Sequence, residues 1–181
     1  MVYTRWGKST CPSGAALVYS GRVAGSWFGH SGGGANYLCL PETPEYFAAY
    51  RHHPGTQHWS PIYGTEYELQ QTSTGSSHNY NVPCAVCDAS TRNRVLMFPA
   101  RWHCPDSTWT REYYGYLMAA HHASNHHRTM FECVDRAMEG VPGSRYNTNG
   151  AVFYHVEATC NGIPCPPYDD QKELTCAVCT K

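Results

Sequence analysis

The tetrapeptide Cys-Ala-Val-Cys occurs twice, at 84–87 and at 176–179, so that it closes each half of a 181-residue chain. Other cysteines keep the same interval. Cys11 and Cys104 lie 93 apart, Cys39 and Cys133 lie 94 apart, and Cys84–Cys176 and Cys87–Cys179 each lie 92 apart. Cys11-Pro12 matches Cys104-Pro105, Tyr19 and Gly21 match Tyr113 and Gly115, and Tyr63 with Glu66 matches Tyr154 with Glu157. One shared tetrapeptide arises by chance; four cysteines, two prolines and a strand in register do not. The chain reads as a tandem duplication of about 90 residues, much longer than a solenoid unit. The expected units are residues 1–90 and 91–181, two similar β repeats in one two-lobed body.

The spacing decides what the Cys-x-x-Cys pairs can do. A redox pair belongs at the start of a helix, whose N-terminus lowers a thiol pKa, and no helical pattern follows either copy. A zinc ribbon needs its two pairs about 15–20 residues apart, whereas 89 residues separate Cys87 from Cys176. Each pair has two upstream cysteines at matched spacing, enough to bridge all four. Ten cysteines in a chain of this size fit a disulfide framework made in an oxidising compartment. The protein is therefore expected to be secreted, its leader absent from this sequence. Cys160 and Cys165 have no counterparts in the first half; they flank a turn-like Asn-Gly-Ile-Pro and pair most simply with each other. For the other eight, the duplication requires only that both halves be bridged alike.

The fold class expected is all-β with long loops. Short β-branched and aromatic runs bounded by Gly and Pro recur at residues 16–21, 61–69, 94–99, 113–118 and 151–158, without a sustained helical period. In the last run, alternation puts Val152, Tyr154 and Val156 on one side and Phe153, His155 and Glu157 on the other. Thirteen basic residues against 14 acidic ones leave no electrostatic footprint for nucleic acid. No apolar run is long enough for a membrane helix, and no Asn-x-Ser/Thr acceptor occurs.

The segments YTRWGKSTCP, GGGANYLCLP, YGTEYE, NVPCAVC, WTREYYGYLM, RTMFECVD and PCPPYDDQKELTCAVCT run from Tyr3 to Thr180. Together they resemble the C-terminal domain of short-chain, spongin-type collagens, a relative of the C-terminal non-collagenous domain of type IV collagen. That domain is also a tandem duplication, opened in each half by Cys-Pro and closed by Cys-x-x-Cys. The resemblance implies Cys11–Cys87, Cys39–Cys84, Cys104–Cys179 and Cys133–Cys176. It further implies secretion, a place in or near extracellular matrix, and trimers formed through exchanged β-hairpins, as in type IV relatives. The chain departs from the type IV pattern in lacking one further local cysteine pair in each half, and it contains no Gly-X-Y triplets that would wind a collagen helix.

Histidine is the unusual residue. Eleven occur, with His52, His53 and His58 in one cluster and His121, His122, His126 and His127 in another. Imidazoles at this density bind zinc or copper, and His122 and His126 would share a face if their segment were helical. Exposed His runs also bind metal adventitiously, and histidine charges between pH 5 and 8, so a pH switch is a second reading. No cofactor is required by any motif.

Glu66, Glu68, Glu157, Asp169 and Asp170 are the acidic candidates; Glu66 and Glu157 are repeat equivalents, which suits bonding of a loop backbone better than glycosidase chemistry. The Gly-rich stretch at 29–37 lacks the lysine and helix of a phosphate loop. Trp27, Tyr37, Trp59 and Trp109 are candidate platforms for sugar rings, although core packing is the commoner fate of such residues. The function expected is a non-enzymatic, secreted recognition or assembly module that meets matrix components or glycans. A self-assembling structural protein and a His-cluster metal binder are the alternatives.

Overall fold

The two Cys-Ala-Val-Cys segments are central strands. The computed structural model describes residues 1–47, 60–69 and 74–181. Among them are ten strands: β1 (Val2–Trp6), β2 (Ala16–Gly25), β3 (Leu38–Pro41), β4 (Tyr63–Tyr67), β5 (Pro83–Asp88), β6 (Val95–Pro99), β7 (Thr110–Ala119), β8 (Glu132–Asp135), β9 (Ala151–His155) and β10 (Thr175–Thr180). The only helical turn among the described residues is a 3-10 turn at Gly75–Ser77. The protein is all-β, stapled by five disulfides.

The first five strands and the last five pair alike. β5 lies between β1 and β2, and β10 between β6 and β7, all antiparallel. Tyr3 faces Cys87 as Leu96 faces Cys179, and Gly21 faces Cys84 as Gly115 faces Cys176. The bulge in β2 between Leu17 and Tyr19 recurs opposite Val178 and Cys179. Gly21 and Gly115 share one reason for being glycine. A Cβ at either would stand 1.8 Å from a carbonyl oxygen of the next strand, that of Leu40 or Val134.

Strand geometry explains the Cys-x-x-Cys spacing. Residues three apart in a strand point to opposite faces. Cys84 joins Cys39 within a core that holds Trp6, Val23, Tyr67, Val86 and Phe153. Cys87 points the other way, to Cys11, into a second core with Tyr3, Ala85, Tyr113 and Val178. Cys104–Cys179 and Cys133–Cys176 repeat this in the second half, with sequence separations of 75 and 43 against 76 and 45 in the first. These are the pairs that the resemblance implies. Two thiols aimed at opposite faces cannot form a dithiol or a metal pair with each other, which removes both alternatives on geometry.

The halves are interleaved. The sheet runs β6-β10-β7-β8-β1-β5-β2-β4-β9, with β3 on β2, and β9 also pairs with β7. β4 and β9 run parallel across the halves, Thr65 to Tyr67 beside Ala151 to Phe153. Both cores draw side chains from both halves, so the boundary near residue 90 separates repeats without separating hydrophobic cores. In β9 Ala151, Val152 and Phe153 are all buried, because the strand lies between β4 and β7 with both faces covered.

Candidate functional site

The two halves meet where β8 and the residues after it dock on the end of β1. Trp6 pairs in parallel with Val134. The Arg5 guanidinium lies 2.7 Å from the Asp135 carboxylate, and Lys8 Nζ 2.7 Å from Glu139 Oε1. The Glu139 amide donates to the Gly7 carbonyl at 2.8 Å, the Val141 amide to the Asn81 carbonyl at 2.9 Å, and the Tyr67 hydroxyl to the Glu139 carbonyl at 3.0 Å. Glu132 on β8 is half-buried here. Burial raises its carboxyl to about 7, against the lowering effect of a hydrogen bond from the Trp6 side chain.

Repeat equivalence locates a second version of this socket. The strand registers map Trp6 onto Pro99, Gly7 onto Ala100 and Lys8 onto Arg101. Ala100 even keeps the positive φ of Gly7, 58° against 87°, and both amides donate to the strand-opening residue of the neighbouring chain segment, Pro83 or Thr175. Asn81 maps onto Glu173, which makes the same kind of isolated bridge. Around these residues lies a cleft of about 690 Å³, walled by Phe98, Ala100, Arg101, Trp102, Glu173 and Leu174. Its other side is formed by Ala158, Pro167, Tyr168, Asp169 and Lys172.

The segment equivalent to the docked one is exposed. By the β2–β3 and β7–β8 registers, Leu40 corresponds to Val134 and Pro41 to Asp135. The same interval sets Glu45 at the place of Glu139 and Phe47 at that of Val141. Leu38 and Leu40 are 45% and 37% exposed, Tyr46 86% and Phe47 fully. Glu45 is exposed also.

The sequence candidates are scattered by the fold. His52, His53, His58 and Trp59 lie outside the described residues. His121, His122, His126 and His127 lie in a turn and not a helix, so the shared helical face does not exist. Instead the His121 ring lies 4.3 Å from His122 and 5.3 Å from His126. Among the described residues no group of three or more His, Cys, Asp or Glu is arranged to hold a metal ion. Tyr37 is not a surface platform: it is 4% exposed, packs 4.3 Å from Phe153, and donates its hydroxyl to the Val152 carbonyl at 2.8 Å. Trp27 packs against Phe28 and His30, and Trp109 lies beside the Lys181 ammonium.

Glu66, fully buried, accepts hydrogen bonds from the Thr148 and Asn149 amides at 2.8 and 2.9 Å and from the Thr148 hydroxyl. That is the loop-backbone role expected of it. Glu157 is exposed and does not share it. Asp170 accepts from the Cys160 amide, and Asp169 from Lys172.

A line of groups not visible in the sequence joins Thr74 Oγ1 to His155 Nε2 at 3.3 Å and His155 Nδ1 to Glu173 Oε1 at 2.6 Å. Its order is that of a nucleophile, a base and an orienting acid. The His155 side chain is only 4% exposed and Tyr116 stacks on it at 4.7 Å, so the line clamps three segments together.

The fold defines a disulfide-rich, all-β protein. No protein-family model matches the chain.

Proposed function

We propose that the chain is a secreted, non-enzymatic module of extracellular-matrix type that assembles head to tail with its own copies. The observation that carries this reading is the cleft at Phe98–Trp102, the counterpart of one that residues 138–141 fill within the chain. Residues 40–47 of a second copy are the matching plug. Leu40 would lie against Pro99, and Pro41 against Phe98, an apolar pair where the filled site has Arg5 and Asp135. Glu45 would reach Arg101 as Glu139 reaches Lys8, and the Phe47 amide would reach the Glu173 carbonyl as that of Val141 reaches Asn81. Plug and socket are different segments of the chain, so the contact is heterologous and ends only when a ring closes. The resemblance to type IV domains suggests closure at three. Ten cysteines, all bridged in pairs, support the extracellular setting.

A glycan site built on Trp27, Tyr37, Trp59 and Trp109 has less support, since Tyr37 belongs to the core. Light scattering across a dilution series tests the assembly reading. The expected mass is three times the 20.2 kDa of the chain, falling to a single chain in Phe47→Asp. Phe47 makes no buried contact, so the variant should keep its fold. A single-chain mass at every concentration of the unaltered protein would overturn the reading.

A further inference from the structure

We propose that the 120–131 segment is a proton-operated latch between the two halves, closed while its histidines are neutral and released when they charge. The segment lies on the loop of residues 26–37. The His127 amide donates to the Phe28 carbonyl at 2.9 Å and the Met130 amide to the Ala35 carbonyl at 3.0 Å. Tyr37 donates to Thr129 Oγ1 at 3.2 Å, and the His126 ring packs 4.6 Å from the Phe28 ring. These contacts cross from the second repeat to the first.

The rings are placed for the neutral form. An imidazolium donates from both nitrogens and needs two acceptors. His126 Nδ1 and His127 Nε2 are buried, and neither has a hydrogen-bond partner. A proton on His126 Nδ1 would place a charged N–H in a dry position with nothing to receive it, which is strongly unfavourable. His121 has His122 and His126 as ring neighbours, so each charge opposes the next. Burial, then the neighbouring histidines, hold His121 and His126 below the ordinary imidazole range.

The groups around the cluster decide how it responds. On the first-repeat side the shared cleft holds His30 and, from the segment itself, Arg128, with no carboxylate among its walls. On the β9 side, Tyr154 lies 4.8 Å from His121, and the adjoining cleft also contains Glu68 and Glu157. Those carboxylates adjoin His121 and His122 rather than His127, and Glu68 already faces His78 at 3.7 Å. The sign follows from the lowered values. The latch is fully stable above the unfolded imidazole pKa near 6.5 and loses stability as pH falls through the lower folded values. Residues 26–37 run directly into β3 and the exposed plug, so release would free the approach to the assembly segment. That consequence rests on the assembly reading; the latch itself does not.

Amide hydrogen exchange on the full chain tests the latch directly, at about pH 7.5 and about pH 5, corrected for intrinsic rates. The expected result is protection of His127 and Met130 at the higher pH and a loss of roughly tenfold or more at the lower, while β5 amides hold. The His121→Phe/His126→Phe double variant keeps ring packing without these two imidazoles and should stay protected at both. Imidazole titration by NMR gives a second readout, with His121 and His126 expected below the ordinary value. Unchanged protection of the wild type at low pH, an equal loss in the double variant, or titration of both rings at or above about 6.5 would each overturn the latch. None of these outcomes depends on whether the protein assembles.

Discussion

Replacing Glu112 with alanine is expected to lower the unfolding free energy by roughly 3–5 kcal/mol, the range for stripping one partner from a buried ion pair. Glu112 sits on β7 with its side chain 1% exposed, and three other segments converge on it. The Tyr3 hydroxyl of β1 donates to one carboxylate oxygen at 2.7 Å; the Thr180 hydroxyl of β10 donates to the other. The Arg92 guanidinium, on the turn between the repeats, lies 2.7 Å from that second oxygen. Burial, then the bond to Glu112, raises the Tyr3 hydroxyl far above the phenol range, so it remains a donor at any working pH. Without the carboxylate, a mostly buried guanidinium is uncompensated and two hydroxyls lose their acceptor. Glu112→Gln retains one acceptor and should fall between. Urea unfolding followed by tryptophan fluorescence measures the series; a loss under about 1 kcal/mol for Glu112→Ala would contradict this role.

Removing the Cys11–Cys87 bridge as the paired alanine variant should cost about 4–5 kcal/mol, since a bridge spanning 76 residues constrains the unfolded chain heavily. The same treatment of Cys160–Cys165, separated by 5, should cost about 2 kcal/mol or less. The contrast matters more than either number. Cys87 is wholly buried beside Tyr3 and Ala85, while Cys160 and Cys165 are exposed in a surface loop. Thermal and urea unfolding of the two variants against the wild type would measure it. Equal losses would mean that the repeat staples are no more structural than the loop bridge.

Much of the scaffold was legible in the sequence because its signals are local or periodic. The alternating and β-branched runs became strands, and the interval of 92–94 residues reappears as matched strand registers. Glu66 bonds a loop backbone as its repeat equivalence suggested, but its counterpart Glu157 does not. What escaped is what depends on pairing between distant strands. The burial of both faces of β9 follows from its place between β4 and β7, and Tyr37 reads as a surface aromatic until the Val152 carbonyl accepts its hydroxyl. The Glu112 hub joins residues 109 apart with no local pattern to announce it. The docking cleft was hidden for the same reason. It emerges only when the contacts of residues 138–141 are compared with the exposed residues 44–47.

The central claim is that this exposed segment enters the Phe98–Trp102 cleft of another copy. Photo-crosslinking reads it most directly, with a benzoylphenylalanine at position 47 and an equal mixture of isotopically light and heavy chains. The account predicts adducts that join position 47 to residues 98–102 or 172–175 and that carry one light and one heavy partner. Adducts confined to a single copy, or joining position 47 to any other face, would contradict it.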